Sequence, residues 1–262
     1  MSPRPLGTRR LPRFRVLRFR VLDLRIFGVA LCGAILAGCG TGEAATPKPS
    51  VAAPAGSASA AASATTSPSP AAPPTFVGTS APATPADVAR SWHPGCPVGP
   101  GQLAVLRLSY WGFDDQAHIG TMVISKAVAP DVIKVFGILY EKRFPIRRMQ
   151  PVDAYGGSDP ASMADDNTSG FNCRYAVAPG TPQWSAHAYG QAIDVNTVEN
   201  PYLLGSSIMP SAGAGYRDRS AYRPGMAIAG GDLVNAFASV GWLWGGRTKT
   251  SPDYQHFSKT GH

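Results

Sequence analysis

The chain has 262 residues, with 24 lysines and arginines against 16 aspartates and glutamates and a formal charge of +8. Residues 1–38 hold eight arginines and one acidic residue, which leaves 16 basic and 15 acidic residues in the rest of the chain. This near-neutral remainder excludes the basic surface on which nucleic-acid binding depends, and we expect no nucleic-acid partner.

The segment 1–38 has the pattern of a signal peptide. Its arginines precede an apolar run at 26–36, shorter than the ~20 residues that a membrane-spanning helix needs. The run leads into Leu36-Ala37-Gly38-Cys39, which resembles the bacterial lipobox. The resemblance implies that Cys39 carries lipid and that the protein is an exported cell-membrane lipoprotein facing the cell wall. An ordinary cleavage site with an unmodified Cys39 is the alternative.

Residues 39–85 are expected to form a disordered tether. From Gly40 onward they are almost entirely Ala, Pro, Ser, Thr and Gly, a composition that cannot bury a core. A flexible coil of this length spans roughly 40 Å on average, which allows an anchored domain to reach into a surrounding wall. The remaining residues, 86–262, are predicted to form the folded domain.

The folded part predicts both strands and helices. Runs of β-branched and aromatic residues bounded by Gly, Pro or Asp indicate strands, and apolar residues at helical spacing indicate helices. The elements do not alternate regularly, so the predicted class is α+β, a single compact domain with a small antiparallel sheet flanked by helices. The predicted strands are 102–111, 118–125, 146–152, 190–195 and 254–258, and the predicted helices are 131–144 and 231–240.

Two cysteines, Cys96 and Cys173, lie in the part predicted to fold. Outside the cytoplasm they can pair, and a bridge that closes so long a loop contributes on the order of 4–5 kcal/mol in the loop-entropy model. Two buried free thiols are the alternative.

The residues around position 190 suggest a metal site. His187 precedes Asp194 by seven residues, and Gly190 between them allows the chain to turn. Zinc binds histidine nitrogen and carboxylate oxygen, and a catalytic zinc ion has three protein ligands and an open position. Near the C-terminus His256 supplies a third ligand. Asp253, three residues earlier, can accept a proton from an attacking water molecule.

These residues resemble the VanY-like family of zinc D,D-carboxypeptidases and L-alanyl-D-glutamate endopeptidases, which is related in fold to Hedgehog domains. The family pattern is Ser-x-His-x-x-Gly-x-Ala-x-Asp, followed far downstream by an acidic residue and, three positions later, a histidine. The first part matches at Ser185, His187, Gly190, Ala192 and Asp194, and the second at Asp253 and His256.

The resemblance implies a single zinc ion on the sheet, held by His187, Asp194 and His256, with Asp253 as the general base. It also implies an upstream arginine that contacts the substrate. Arg174 is the candidate on a predicted strand, and Arg147 and Arg148 compete for the role.

Three further residues are candidates for contact with the substrate. Ser185 is expected to orient a ligand or the substrate by hydrogen bonding. The aromatic residues Trp184 and Tyr189 are candidates for lining a groove, with an ordinary place in the core as the alternative.

The predicted function is zinc-dependent hydrolysis of peptidoglycan stem peptides, of the D-alanyl-D-alanine carboxypeptidase or the L-alanyl-D-glutamate endopeptidase type. A non-catalytic zinc-containing wall-binding module and an exported peptidase acting on other peptides are the alternatives. Asp253 argues against the binding module, because a structural zinc site needs no spare carboxylate beside a ligand. Two cations, Arg247 and Lys249, follow the tandem glycines and favour a substrate carboxylate.

Overall fold

The computed structural model describes residues 74–177 and 180–260, and its largest sheet has three antiparallel strands in the order β1-β2-β3. The central strand β2 (Leu103–Trp111) pairs with β3 (Ala117–Ser125) along its whole length. Both strands lie where the β-branched and aromatic residues predicted them. The predicted leader, the lipid attachment at Cys39 and most of the tether lie outside the described residues.

The first strand, β1 (Gly78–Pro82), lies inside the segment predicted to be tether. It pairs with β2 from Gly78 opposite Leu108 to Pro82 opposite Ala104, and the ring of Phe76 lies 5.7 Å from that of Tyr140. The folded domain therefore begins earlier than residue 86. Composition missed this strand because its backbone supplies the pairing, whereas its small side chains carry no apolar pattern.

The main core lies between this sheet and two helices, α1 (Ala129–Glu141) and α3 (Asp232–Ala238). The two predicted helices are confirmed, although α1 begins two residues before its predicted start and ends at Glu141, not at the predicted residue 144. A short helix, α2 (Asp159–Ala164), was not predicted. Within the described residues, no helix has the length and apolar character to cross a membrane. The buried α1 residues are Ala129, Val132, Val135, Phe136, Leu139 and Tyr140.

A second, smaller antiparallel sheet has the order β4-β8-β7. Its strands are β4 (Ala192–Asp194), β8 (His256–Ser258) and β7 (Leu243–Trp244). Strands β4 and β8 lie within the predicted segments 190–195 and 254–258 but are shorter. A separate hairpin, β5 (Tyr202–Leu204) with β6 (Ser207–Met209), was not predicted. The α+β class with small antiparallel sheets and flanking helices is confirmed.

The prediction of a strand at 146–152 was wrong. This segment makes one isolated bridge, between Met149 and Thr168. Its backbone N–H groups donate to side-chain amides where a neighbouring strand would otherwise accept. Asn196 accepts from the Arg147 N–H at 3.0 Å, and Asn167 accepts from the Gln150 N–H at 2.9 Å. The apolar side chains of Ile146, Met149 and Val152 are buried, but the backbone groups of the segment bond to several separate parts of the chain.

Cys96 and Cys173 form a disulfide bond, which confirms the predicted pairing. The bond joins residues 77 positions apart and holds the segment before Arg174 against the loop at residue 96. His93 lies beside it, with Nε2 3.5 Å from the sulfur of Cys173. Because both thiols are used in the disulfide, this group offers no thiolate ligand for a metal.

Candidate metal centre

The three candidate ligands come from two paired strands and one short turn. Asp194 ends β4 and His256 begins β8, and the register places these residues directly opposite each other. Directly opposite residues of an antiparallel pair project from the same face of the sheet. His187 lies in the single 3-10 turn Ala186–Tyr189, just before β4. The fold thus assembles one site from residues distant in sequence.

Local geometry fixes the turn that carries His187. The hydroxyl of Ser185 accepts a hydrogen bond from the His187 backbone N–H at 3.3 Å, as a helix-capping residue does. Gly190 ends the turn at φ +63°, in the left-handed region. A Cβ atom at Gly190 would lie 2.6 Å from the backbone nitrogen of Ser125. Both the backbone angle and the close approach therefore require glycine there.

The ligand atoms converge at distances that suit one small ion. Nε2 of His187 lies 3.2 Å from Nδ1 of His256 and 3.2 Å from Oδ2 of Asp194, and Nδ1 of His256 lies 3.2 Å from Oδ1 of Asp194. All three residues are buried. Two ligands at typical zinc bond lengths and a tetrahedral angle are about 3.3 Å apart. The arrangement therefore fits a single zinc ion with three protein ligands.

Hydrogen bonding directs His187 toward this point. Its Nδ1 atom lies 2.6 Å from the carbonyl oxygen of Gly170, which can only accept, so Nδ1 carries the proton. Nε2 then presents its lone pair to Asp194 and His256. A carbonyl behind a ligating histidine is the usual outer support of a zinc site.

Charge balance at the site also favours a bound cation. Burial would raise the pKa of Asp194, but His187 and His256 hold it well below its usual range. Burial opposes protonation of His187, yet the carboxylate of Asp194 outweighs this effect and raises its pKa. The buried carboxylate thus draws positive charge to this point, from a proton or from a metal ion.

A cleft of about 230 Å³ opens beside the ligands, and Asp253 lies in its wall. Its Oδ1 atom is shielded from solvent and has no hydrogen-bond partner among the described residues. Burial raises the pKa of Asp253 to about 7, against the opposing effect of His256. A carboxyl group with a pKa near 7 suits general base catalysis at neutral pH. Other residues in the wall are Asp159, Met163, Arg174, Ser185, Tyr202, Met209 and Gln255.

Residues 179–259 match the family model described as D-alanyl-D-alanine carboxypeptidase. This segment of the chain is therefore similar to that peptidase family. The match covers about a third of the chain, and it contains His187, Asp194, Asp253 and His256. Peptidases of this family are zinc-dependent, and the buried His-Asp-His group agrees with that requirement. No curated protein and no solved structure matched the chain.

Arg174 lines the cleft, although it lies outside the strands and not on one as predicted. Its Nε atom lies 2.9 Å from Oδ2 of Asp159, which also lines the cleft. The competing arginines face other groups. Arg147 lies near Asp166 and Arg148 pairs with Asp165 at 3.0 Å, and neither arginine lines the cleft.

The three residues predicted to contact the substrate divide between two cavities. Ser185 lines the metal cleft, where it also caps the turn of His187. Trp184 and Tyr189 line a separate cavity instead. Neighbouring residues of the same segment therefore face different cavities. The aromatic character of Trp184 and Tyr189 did not predict which cavity they line.

Sequence reasoning missed several residues that line the cleft. Gln255 is buried beside His256, and its Nε2 atom points to the sulfur of Met163 at 3.4 Å, while Oε1 has no partner in the described part of the chain. Tyr202 and Met209 come from the β5-β6 hairpin. Gln255 could have been found from its place within the matched segment 253–257, but nothing in the sequence pointed to Met163 or the hairpin.

Proposed function

We propose that the protein is a zinc-dependent peptidase of the cell envelope that hydrolyses peptidoglycan stem peptides. The observation that carries the proposal is the convergence of His187, Asp194 and His256 beside a cleft that also holds Asp253. The family match supports a carboxypeptidase-like peptidase in general. The bond that we propose it cuts is either a terminal D-alanyl-D-alanine bond or an L-alanyl-D-glutamate bond.

The candidate ligands, Asp253 and Arg174 each have a role in this proposal. His187, Asp194 and His256 would hold the zinc ion, which when bound polarises a carbonyl and acidifies water. Asp253 accepts the proton of the attacking water molecule and returns it to the leaving amine. Arg174 binds a carboxylate or carbonyl of the substrate through its planar guanidinium group. Its pairing with Asp159 holds the side chain at the cleft before substrate arrives.

The cell-envelope location rests on the leader, Cys39 and the tether, which lie largely outside the described residues. A lipid anchor followed by a flexible tether would keep the domain near the membrane and within reach of the wall. Cys39→Ser should move the protein from the membrane fraction to the soluble exported fraction. An unchanged distribution would remove lipid attachment from the proposal.

Mass spectrometry of purified muropeptides tests the activity. The protein from Gly40 onward, loaded with zinc, is incubated with muropeptides with and without a chelator, and Asp253→Ala serves as the inactive control. Chelator-sensitive loss of one alanine would identify a carboxypeptidase, and release of the stem after L-alanine an endopeptidase. Absence of cleavage by folded, zinc-loaded protein would contradict the proposal.

A further inference from the structure

A second cavity, of about 280 Å³, lies on the other side of the segment that carries His187. The lining alternates along the chain. Ser185 and His187 face the metal cleft, whereas Trp184, Ala186 and Tyr189 face the second cavity. Ala186, which lines this cavity, is the residue next to His187, a candidate zinc ligand. The remaining described residues that line it are Gln191, Lys259 and Thr260.

Aromatic side chains give this cavity an apolar wall that is open to solvent. Tyr189 is 38% exposed, and Trp184 stacks on Tyr175 with ring centroids 4.2 Å apart and planes 16° apart. Tyr175 is itself 51% exposed. This stacking holds the Trp184 ring in place before a ligand binds. Aromatic rings beside polar side chains suit a ligand that has both apolar and polar groups.

The charge of the cavity favours a neutral ligand. Lys259 is the one charged residue in its described lining, and its Nζ atom pairs with Oδ2 of Asp131 at 2.7 Å. The same Nζ atom donates to the carbonyl oxygen of Val240 at 3.0 Å. Because its charge is already compensated, an anionic ligand would gain little from it. Gln191 adds an exposed amide that can both donate and accept.

We propose that this cavity binds a sugar unit of the polysaccharide to which the stem peptide is attached. Sugar rings combine apolar C–H faces, which pack on aromatic rings, with hydroxyl and acetamido groups, which match a side-chain amide. The inference rests on the proposed function, because that function supplies a substrate in which peptide and polysaccharide are joined. The protein then recognises its substrate from two sides of the segment 184–189.

Binding of a peptide-free saccharide tests this inference separately from hydrolysis. The probe is a neutral oligomer of β-linked N-acetylglucosamine, titrated into the zinc-loaded protein and followed by calorimetry and tryptophan fluorescence. We expect Tyr189→Ala and Gln191→Ala each to weaken binding by about 10-fold, as loss of one packed aromatic or one hydrogen-bonded contact does. Tyr222→Ala is the matched control, since Tyr222 is 56% exposed and lines neither cavity.

Hydrolysis of two substrates completes the test. One is a free stem peptide, and the other is the same peptide attached to a glycan oligomer. The ratio of kcat/KM for the attached peptide to that for the free peptide should fall about 10-fold in Tyr189→Ala and stay at the wild-type value in Tyr222→Ala. Equal losses on both substrates, or no saccharide binding by wild type, would overturn the inference. Saccharide binding without hydrolysis of either substrate would instead count against the proposed function alone.

Discussion

Nε2 of His187 lies 3.2 Å from Nδ1 of His256, although 69 positions separate the two residues. Both rings are buried and meet nearly edge to face, at an interplanar angle of 62°. Asp194 touches both nitrogens through its two carboxylate oxygens. Two nitrogens and a carboxylate at such distances form a ready site for a cation.

Loss of either histidine should abolish metal binding. We expect His187→Ala and His256→Ala to reduce zinc affinity by more than about 100-fold, because even outer-shell partners of zinc ligands cost 10- to 100-fold. Metal analysis after dialysis against a weak chelator measures the change. His118→Ala is the control, since His118 is partly exposed and pairs with Asp114 away from the candidate ligands. Full zinc content in His187→Ala would show that another residue is the ligand.

Asp253→Asn should separate metal binding from catalysis. Zinc content is expected to stay at one ion per chain, while kcat falls by about 10²- to 10⁴-fold because the proton acceptor is lost. Asp218→Asn, a change at an exposed carboxylate, should leave both quantities unchanged. If Asp253→Asn instead releases zinc, Asp253 is a ligand and the proposed division of roles is wrong.

Arg174 should be the arginine that contacts substrate, because it alone of the three candidates lines the cleft. Arg174→Ala is expected to lower kcat/KM by about 10- to 100-fold, the effect of losing a hydrogen bond to a charged group. Arg148→Ala should have little effect, since Arg148 pairs with the exposed Asp165. Steady-state kinetics on the muropeptide that is cleaved decide between them, and a larger loss in Arg148→Ala would reverse the assignment.

A second carboxyl group, Glu199, should make stability depend on pH. It is 2% exposed, and burial raises its pKa to about 8, with Asp166 adding to the effect. In the unfolded chain its pKa is near the ordinary 4.5, so between about pH 4.5 and 8 the folded state holds a proton that the unfolded state releases. The contribution of Glu199 to the free energy of unfolding therefore falls as pH rises through this window, by at most about 1.4 kcal/mol per pH unit.

Glu199→Gln should remove that dependence, because glutamine resembles the protonated acid. The difference in Tm between Glu199→Gln and wild type is expected to grow in favour of the variant from pH 5 to pH 8. Thermal unfolding across this range measures it, with Glu141→Gln at the exposed end of α1 as the control. A constant difference would mean that Glu199 is ionised in the folded protein throughout.

The disulfide should contribute substantially to stability. Replacing Cys96 and Cys173 together with serine is expected to lower the free energy of unfolding by about 2–5 kcal/mol, because the unfolded chain regains the freedom of a long loop. Urea unfolding of the variant, compared with wild type in the presence and absence of a reductant, measures this. Identical urea midpoints for the variant and the oxidised wild type would contradict the expectation.

The sequence predicted the candidate metal ligands because zinc chemistry restricts both residue type and spacing, and the fold brings His187, Asp194 and His256 together. It predicted α1 from apolar residues at helical spacing, and β2 and β3 from their β-branched and aromatic residues. It missed β1, whose pairing uses backbone groups, and misread 146–152, where Asn167 and Asn196 replace a strand neighbour. The sequence did not predict which way a side chain points in the folded domain, and so it did not predict that Tyr189 faces the second cavity.

The pairing of Asp194 with His256 across β4 and β8 makes the candidate metal site sensitive to strand alignment. A slip of one residue would turn one ligand to the opposite face of the sheet and break the set. Zinc would therefore bind only to chains whose short strands have found the native register. The fraction of metal-loaded protein then reports correct folding of the C-terminal strand, and a zinc supply during refolding should select that alignment over its neighbours.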